Sequence, residues 1–251
     1  MSLRTAVSTF SLLPVGEQVA PADAATLLWL PLVGAGLGAL AGLPLAAALG
    51  MNAGAGLVAA LLGLAALALL TRGLHLDGLA DTADGLGSRA PAERALEIMR
   101  QSDIGPFGVL SVVFVVGLDA AALVTFTGSQ WHGLAALTVA AATGRVTVLH
   151  AALKGVPSAR PGGFGALVAG SVEPAVAVLQ TAGVLALGAG LAEACDIAAW
   201  RWLVAQGVAL VLAWAFRVHT TRRLGGVTGD VFGALVELGT AATLVGLALA
   251  T

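Results

Sequence analysis

The sequence predicts an all-α integral membrane protein with about seven transmembrane helices, and three observations predict it. First, 58% of the 251 residues are hydrophobic and only 10% are charged, where a soluble domain carries about 25% charged residues; the mean hydropathy is +0.95. Second, the apolar residues gather in runs long enough to cross a hydrocarbon core of about 30 Å as helices. Third, the apolar/polar alternation of membrane-barrel strands does not appear, and an open sheet edge cannot be satisfied in lipid. The bilayer is therefore the first expected partner. The 34 glycines suit helices that pack backbone to backbone, within one bundle or in a homo-oligomer. A net charge of −2 leaves no basic excess to neutralise a nucleic-acid backbone, so no nucleic acid is expected. The single cysteine, Cys195, makes no internal disulfide or structural zinc site and reads as a small buried apolar residue. No repeat divides the chain, and residues 1–251 read as one polytopic domain.

The elements follow in order. Residues 1–25 read as an interfacial or re-entrant segment rather than a cleaved signal, because Ser8, Thr9, Ser11 and Pro14 interrupt the apolar stretch. Spans are expected at residues 26–48 and 51–70, then at 107–127 and 133–153, then at 174–192, 200–216 and 231–250. If the long connection between spans two and three faces the cytoplasm, that side collects Arg4, Arg72, Arg89, Arg94, Arg100, Lys154, Arg160, Arg217, Arg222 and Arg223. The opposite side holds Arg201, and Arg145 lies inside span four. The positive-inside rule then puts the N-terminus and the polar loops in the cytoplasm. Trp131, Trp200 and Trp202 are placed at the outer boundary, where aromatic belts sit.

The longest connection, residues 71–106, is where chemistry is expected, since long connections in compact proteins are usually functional. Its core runs His75-Leu76-Asp77-Gly78-Leu79-Ala80-Asp81-Thr82-Ala83-Asp84-Gly85. As a helix continuing span two, it places Asp77, Asp81 and Asp84 within an arc of about 60°. Three carboxylates on one face repel unless a cation sits among them, and hard oxygen ligands suit Mg²⁺ or Mn²⁺ completed by a substrate phosphate. No Lys or Arg lies between Asp77 and Asp84, and Gly78 and Gly85 leave room for a ligand at the backbone. Two further clusters lie on the same side: residues 157–165, with Arg160 among glycines, and residues 222–230, with Arg222 and Arg223 before Gly225-Gly226-Val227-Thr228-Gly229-Asp230. Glycine backbone and paired guanidinium donors are what a phosphate group needs. Carboxylates, arginines and glycine loops on one face point to metal-assisted phosphoryl chemistry.

These residues resemble the cobalamin synthase family, the adenosylcobinamide-GDP ribazoletransferases. The stretch from Gly73 to Gly85 is similar to the family's most specific signature; Glu97-Ile98-Met99, Ile104-Gly105 and Phe107-Gly108 resemble its continuation. Gly225-Gly226-Val227-Thr228-Gly229-Asp230 with Gly233-Ala234 resembles its C-terminal motif, and weaker likeness touches Phe10, Leu13-Pro14, Gly144-Arg145, Ala159-Arg160 and Phe164-Gly165. The resemblance implies a membrane enzyme of late vitamin B12 assembly with Mg²⁺ as cofactor. In it the ribose 3′-hydroxyl of α-ribazole, or of its 5′-phosphate, attacks the cobinamide-linked phosphate of adenosylcobinamide-GDP, and GMP leaves. It implies that Asp77, Asp81 and Asp84 hold metal, one of them orienting or deprotonating the hydroxyl. The family has an aspartate two residues after the methionine of Glu97-Ile98-Met99, where this chain has Gln101. Asp103 is the substitute ligand, on a loop only, since the two positions differ by about 200° on a helix. Arg100, Arg145, Arg160, Arg222, Gly226, Thr228 and Asp230 are the substrate-binding candidates.

Three ionisable residues fall inside spans and so default to pairing or function. Asp119 and Arg145 are expected to form an ion pair between spans three and four, the rival being Arg145 turned toward substrate phosphates. Glu237, seven residues after Asp230, either extends the acidic site or bonds between helices. His75 reads as a surface or packing residue, and His132 and His150 as interfacial. Two other classes compete. A transporter predicts midplane sites and inverted repeats, and a lipid phosphotransferase shares the metal chemistry, as the Asp-x3-Asp-x2-Asp spacing resembles the helix of CDP-alcohol phosphotransferases.

Overall fold

The computed structural model describes residues 3–15 and 23–250. Part of the expected N-terminal interfacial segment, residues 16–22, lies outside them. The described residues form eleven α-helices and no named strand. Helix α1 (Leu3–Phe10) precedes a 3₁₀ turn, Ala24–Trp29, that runs into α2 (Leu30–Met51). Then come α3 (Gly56–Leu70), α4 (Leu74–Gly87), α5 (Ala92–Ile98) and α6 (Pro106–Val124), followed by α7 (Gln130–Ala151) and α8 (Gly163–Val168). The chain ends with α9 (Pro174–Ala194), α10 (Ala199–Leu224) and α11 (Gly229–Ala250).

Six of these, α2 with its 3₁₀ lead, α6, α7, α9, α10 and α11, are long and apolar enough to cross a membrane. The second expected span differs. Its helix, α3, has 15 residues, about 22 Å of rise against a core of about 30 Å. It does not continue into the acidic segment; α4 leaves it at 89°. Arg72 and Gly73 make the corner with φ of 58° and 66°, a backbone that costs glycine little.

Helix α7 is the centre of the bundle, with 89% of its apolar window buried against 22% for α9 and 28% for α10. Small residues let its neighbours close in. Gly34, Gly38 and Gly42 present one face of α2 to α7, where a methyl group on Gly38 would lie 2.7 Å from the Leu137 carbonyl oxygen. On the other side, a methyl on Gly239 of α11 would lie 3.0 Å from the Gly144 Cα. Buried Gln206 of α10 ties the remaining helices, donating to Thr143 Oγ1 and the Val184 carbonyl, each at 3.1 Å. Cys195 is 7% exposed within this apolar packing, as expected.

At the far end from α4, Trp131 and Trp200 are exposed at the starts of α7 and α10, and the Arg201 guanidinium lies 5.8 Å from the Trp200 ring. Trp202 departs from the expected belt: it is fully buried, because two residues along a helix turn its side chain about 200° from Trp200, into the bundle.

Candidate active site

At the α4 end, three remote pieces of chain meet around a cavity of about 380 Å³. The first is α4, which contributes Asp77 and Gly78. It crosses α11 where both are glycine: a methyl on Gly78 would lie 2.7 Å from the Asp230 carbonyl oxygen, and one on Gly233 would lie 3.2 Å from the Gly78 Cα. This crossing brings Asp77 and Asp230 into one cavity. The second piece is the loop before α8, with Ser158, Arg160 and Gly162. The third is Thr228-Gly229-Asp230, the start of α11.

The two loops are clipped together. Ala159 N–H donates to the Val227 carbonyl and Val227 N–H to the Pro157 carbonyl, each at 3.0 Å. Gly226 is required there, since a methyl would lie 2.5 Å from the Ala159 nitrogen. Arg160 is then held from two sides: its Nη2 donates to the Leu96 carbonyl of α5 at 3.2 Å and pairs with Asp230 Oδ2 at 3.2 Å. Its Nε is buried with no partner among the described residues. Thr228 Oγ1 donates to Asp230 Oδ2 at 3.2 Å. Helix α1 closes the side of the cavity, with Thr9 accepting from Arg72 Nη2 at 2.9 Å and Leu12 N–H donating to the Leu70 carbonyl at 2.7 Å.

Asp81 carries the electrostatic signature of the site. Burial first, then Asp77, Asp230 and Asp84, push its carboxyl up to about 7, against the opposing pull of Arg160. Among the described residues neither Asp77 nor Asp81 has a cation within ion-pair distance. His75 is not a surface residue: it is 5% exposed and lines the cavity. Burial, then Arg145, holds its imidazole well below the usual histidine range.

Asp84 has a different position from its two neighbours in the signature. Its carboxylate accepts the Gly105 N–H at 2.7 Å and the Gly108 N–H at 2.9 Å. Helix α6 has glycine at its N-cap and proline at its first position, so it has no side chain of its own to cap with. A methyl on Gly105 would lie 2.5 Å from Asp84 Oδ1; the glycine leaves the notch that the carboxylate fills. The glycines of α4 likewise admit protein rather than ligand. Gly78 is covered by α11, and a methyl on Gly85 would lie 2.5 Å from Met99 Cγ, which is how the Glu97-Ile98-Met99 segment docks.

Several expected site residues stand elsewhere. Asp103 is on a loop, as its substitution for position 101 required, but it is exposed and lines no part of the cavity; Arg100 and Arg222 are likewise exposed and outside it. Arg145 is 1% exposed in α7, where it donates to the Ala141 carbonyl at 3.0 Å and packs in the notch left by Gly34. The expected ion pair with Asp119 is not formed. Arg145 shares with Asp119 and Glu237 a separate cavity of about 310 Å³. His150 bonds Thr181 Oγ1 at 2.8 Å. Sequence reasoning missed Phe232 as a lining residue, and passed over Phe10 and Phe164 as anything but motif positions; no polar pattern marks them.

Among the described residues no three of His, Cys, Asp and Glu stand close enough to hold a metal ion alone. Asp77 lines the cavity, and Asp81, one turn further along α4, is half-buried and outside its lining; two carboxylates without a cation at that edge still fit Mg²⁺, which takes one or two carboxylates and completes its shell with water and phosphate oxygens. They do not fit a metal that needs a full protein cage.

Fold and site together define a polytopic integral membrane protein that gathers carboxylates, an arginine and glycine-rich backbone at one end of its bundle. The chain belongs to the cobalamin-5-phosphate synthase family, whose model matches residues 2–248. Its relatives include proteins named adenosylcobinamide-GDP ribazoletransferase. That of Frankia casuarinae is 43% identical over 232 residues, 87% of this chain and 83% of the relative. That of Klebsiella pneumoniae is 39% identical over 209 residues, 83% and 81% of the two chains. That of Bradyrhizobium diazoefficiens is 38% identical over 240 residues, 94% and 89%. No solved structure matches the chain.

Proposed function

We propose that this chain is an adenosylcobinamide-GDP ribazoletransferase of a prokaryotic inner membrane, working at the cytoplasmic face with Mg²⁺. The observation that carries the reading is the meeting of Asp77 with the Arg160–Asp230 pair in one cavity, although α4 and α11 are about 150 residues apart. Family membership supplies the substrates. The 3′-oxygen of α-ribazole, or of its 5′-phosphate, forms a bond to the cobinamide-linked phosphorus, the bond from that phosphorus to the GMP oxygen breaks, and the hydroxyl proton passes to a base.

In this reading Asp77 and Asp81 are the ligands of Mg²⁺, and the hydroxyl proton goes to a carboxylate of the same pair. The ion, when bound, neutralises charge on the phosphate oxygens. Arg160 grips a phosphate oxygen through the donors that Asp230 and Leu96 leave to it, and Asp230 fixes its guanidinium. Thr228-Gly229-Asp230, the start of α11, lines the same cavity, and a helix N-terminus favours an anion. Asp84 acts as a positioning residue, holding α4 against α6. The cytoplasmic orientation rests on the basic residues: Arg72, Arg94, Arg160, Arg222 and Arg223 all lie at the α4 end of the bundle, and Arg201 at the other.

The test is GMP release from adenosylcobinamide-GDP and α-ribazole 5′-phosphate by purified, detergent-solubilised protein, with and without Mg²⁺. Metal-dependent release with a cobalamin product, lost in Asp77→Asn, is expected. No release under any divalent metal from folded protein would overturn the reading.

A further inference from the structure

The cavity beside Asp77 has two chemistries. Around the first turn of α11 it is polar, with Asp77, Ser158, Arg160, Thr228 and Asp230. Its other wall is largely apolar, with Phe10, Phe164, Phe232, Leu30, Val148 and Val236, and Phe164 stands beside the first residue of α11, where a methyl on Gly229 would lie 3.8 Å from its Cβ. Val236 is six residues beyond Asp230 on the same helix, so this wall runs about 9 Å along α11 from the level of the polar residues. Its three phenylalanines come from three helices and form a continuous edge-to-face run. The Phe10 and Phe164 centroids are 5.5 Å apart with planes at 73°, and those of Phe164 and Phe232 are 6.2 Å apart at 82°.

Resting on the function proposed above, we infer that this aromatic end is the binding site for the base of α-ribazole, which places its ribose among Asp77, Arg160 and Asp230. Size is the first argument. About 380 Å³ is at the lower end of small-molecule sites, and adenosylcobinamide-GDP, with a corrin ring, an adenosyl group and a nucleoside diphosphate, does not enter it. Polarity is the second. The guanine of that substrate carries donors and acceptors along its edge, each of which loses hydrogen bonds to water among phenylalanine, leucine and valine. The ribazole base is a dimethylated benzimidazole with apolar methyl groups and flat faces, for which aromatic edges and faces are the matching surface. Geometry is the third: a base seated against the phenylalanines at the start of α11 leaves its ribose hydroxyls at the same helix turn, where Asp77, Asp230 and Arg160 line the cavity. The larger substrate then meets the hydroxyl from the mouth of the cavity.

The test is fluorescence titration of α-ribazole, followed through its benzimidazole, into purified protein in detergent without metal or second substrate. Phe164→Ala is compared with Phe164→Leu and Phe10→Leu, with folding checked by size exclusion and melting. Phe164→Ala is expected to weaken binding about tenfold or more, the scale of one base–aromatic stack. The leucine variants are expected to lose less. In turnover, KM for ribazole rises while KM for adenosylcobinamide-GDP holds, and excess guanosine does not displace ribazole. Wild-type affinity in folded Phe164→Ala, displacement by guanosine, or a KM change confined to adenosylcobinamide-GDP would each overturn the inference while leaving the proposed reaction standing. Failure of the wild-type protein to bind ribazole at all would overturn both.

Discussion

Asp84→Asn separates a positioning aspartate from its ligand neighbours. The Asp84 carboxylate receives two N–H bonds, at 2.7 and 2.9 Å, from the start of α6. Hydrogen bonds to a charged acceptor are worth about 1.5–3 kcal/mol each. Asparagine keeps one acceptor oxygen, turns an NH₂ toward the second N–H, and removes the negative charge from a helix N-terminus. The expected loss is about 2–3 kcal/mol. For a chain of this size, where each kcal/mol moves the melting temperature by about 2–4 °C, that is a fall of about 5–10 °C. Asp84→Ala leaves both N–H groups without a partner and falls further. Asp77→Asn has the opposite signature: it removes a charge that repels Asp81, so the protein melts at or above the wild-type temperature while turnover is lost. The assay is thermal unfolding of purified protein in detergent, followed by tryptophan fluorescence, with and without Mg²⁺. Mg²⁺ is expected to raise the melting temperature of Asp84→Asn as it does that of wild type, and not that of Asp77→Asn. An Asp84→Asn protein that melts with wild type but has lost its response to Mg²⁺ would show that Asp84 is a ligand and refute the capping argument.

Three further outcomes follow from the same geometry. Gly78→Ala forces a methyl to within 2.7 Å of the Asp230 carbonyl oxygen; it is expected to cost about 1–3 kcal/mol by overpacking, read as a lower melting temperature, and to lower kcat at least tenfold by displacing Asp77 from Asp230. Arg160→Lys keeps the charge but loses the planar fork that serves both Asp230 and a phosphate, so steady-state kinetics are expected to show KM for the phosphorylated substrates rising about tenfold. Because Asp81 holds its proton up to about 7, a proton competes with Mg²⁺ below that pH: apparent Mg²⁺ affinity, measured by titrating activity, is expected to climb up to tenfold per pH unit below about 7 and to level off above it.

Much of this protein is determined by local sequence. Apolar runs of a given length have one stable form in lipid, because the backbone must satisfy its own hydrogen bonds there, so six of the seven expected spans correspond to helices long enough to cross, and the second to the shorter α3. The acidic signature is equally local: period and spacing put Asp77, Asp81 and Asp84 on one helix whatever surrounds it, and the glycine loops around Arg160 and Asp230 announce a polar site by composition. Tertiary structure decided what local pattern leaves open. Three aspartates on one arc look alike in sequence, yet one faces the bare start of α6 and becomes a cap, since only the packing of α4 against α6 brings the Gly105 and Gly108 amides to it. Glycines that sequence assigns to ligand approach, Gly78, Gly85 and Gly226, are filled by α11, Met99 and the Ala159 loop. Arg145 turns to a carbonyl of its own helix rather than to Asp119, because depth along two spans fixes a level in the membrane but not the direction in which a helix face points. The aromatic floor made by Phe10, Phe164 and Phe232 has no sequence signal at all: phenylalanine looks the same in a cavity wall, a core or a lipid face, and only the meeting of three helix ends distinguishes them.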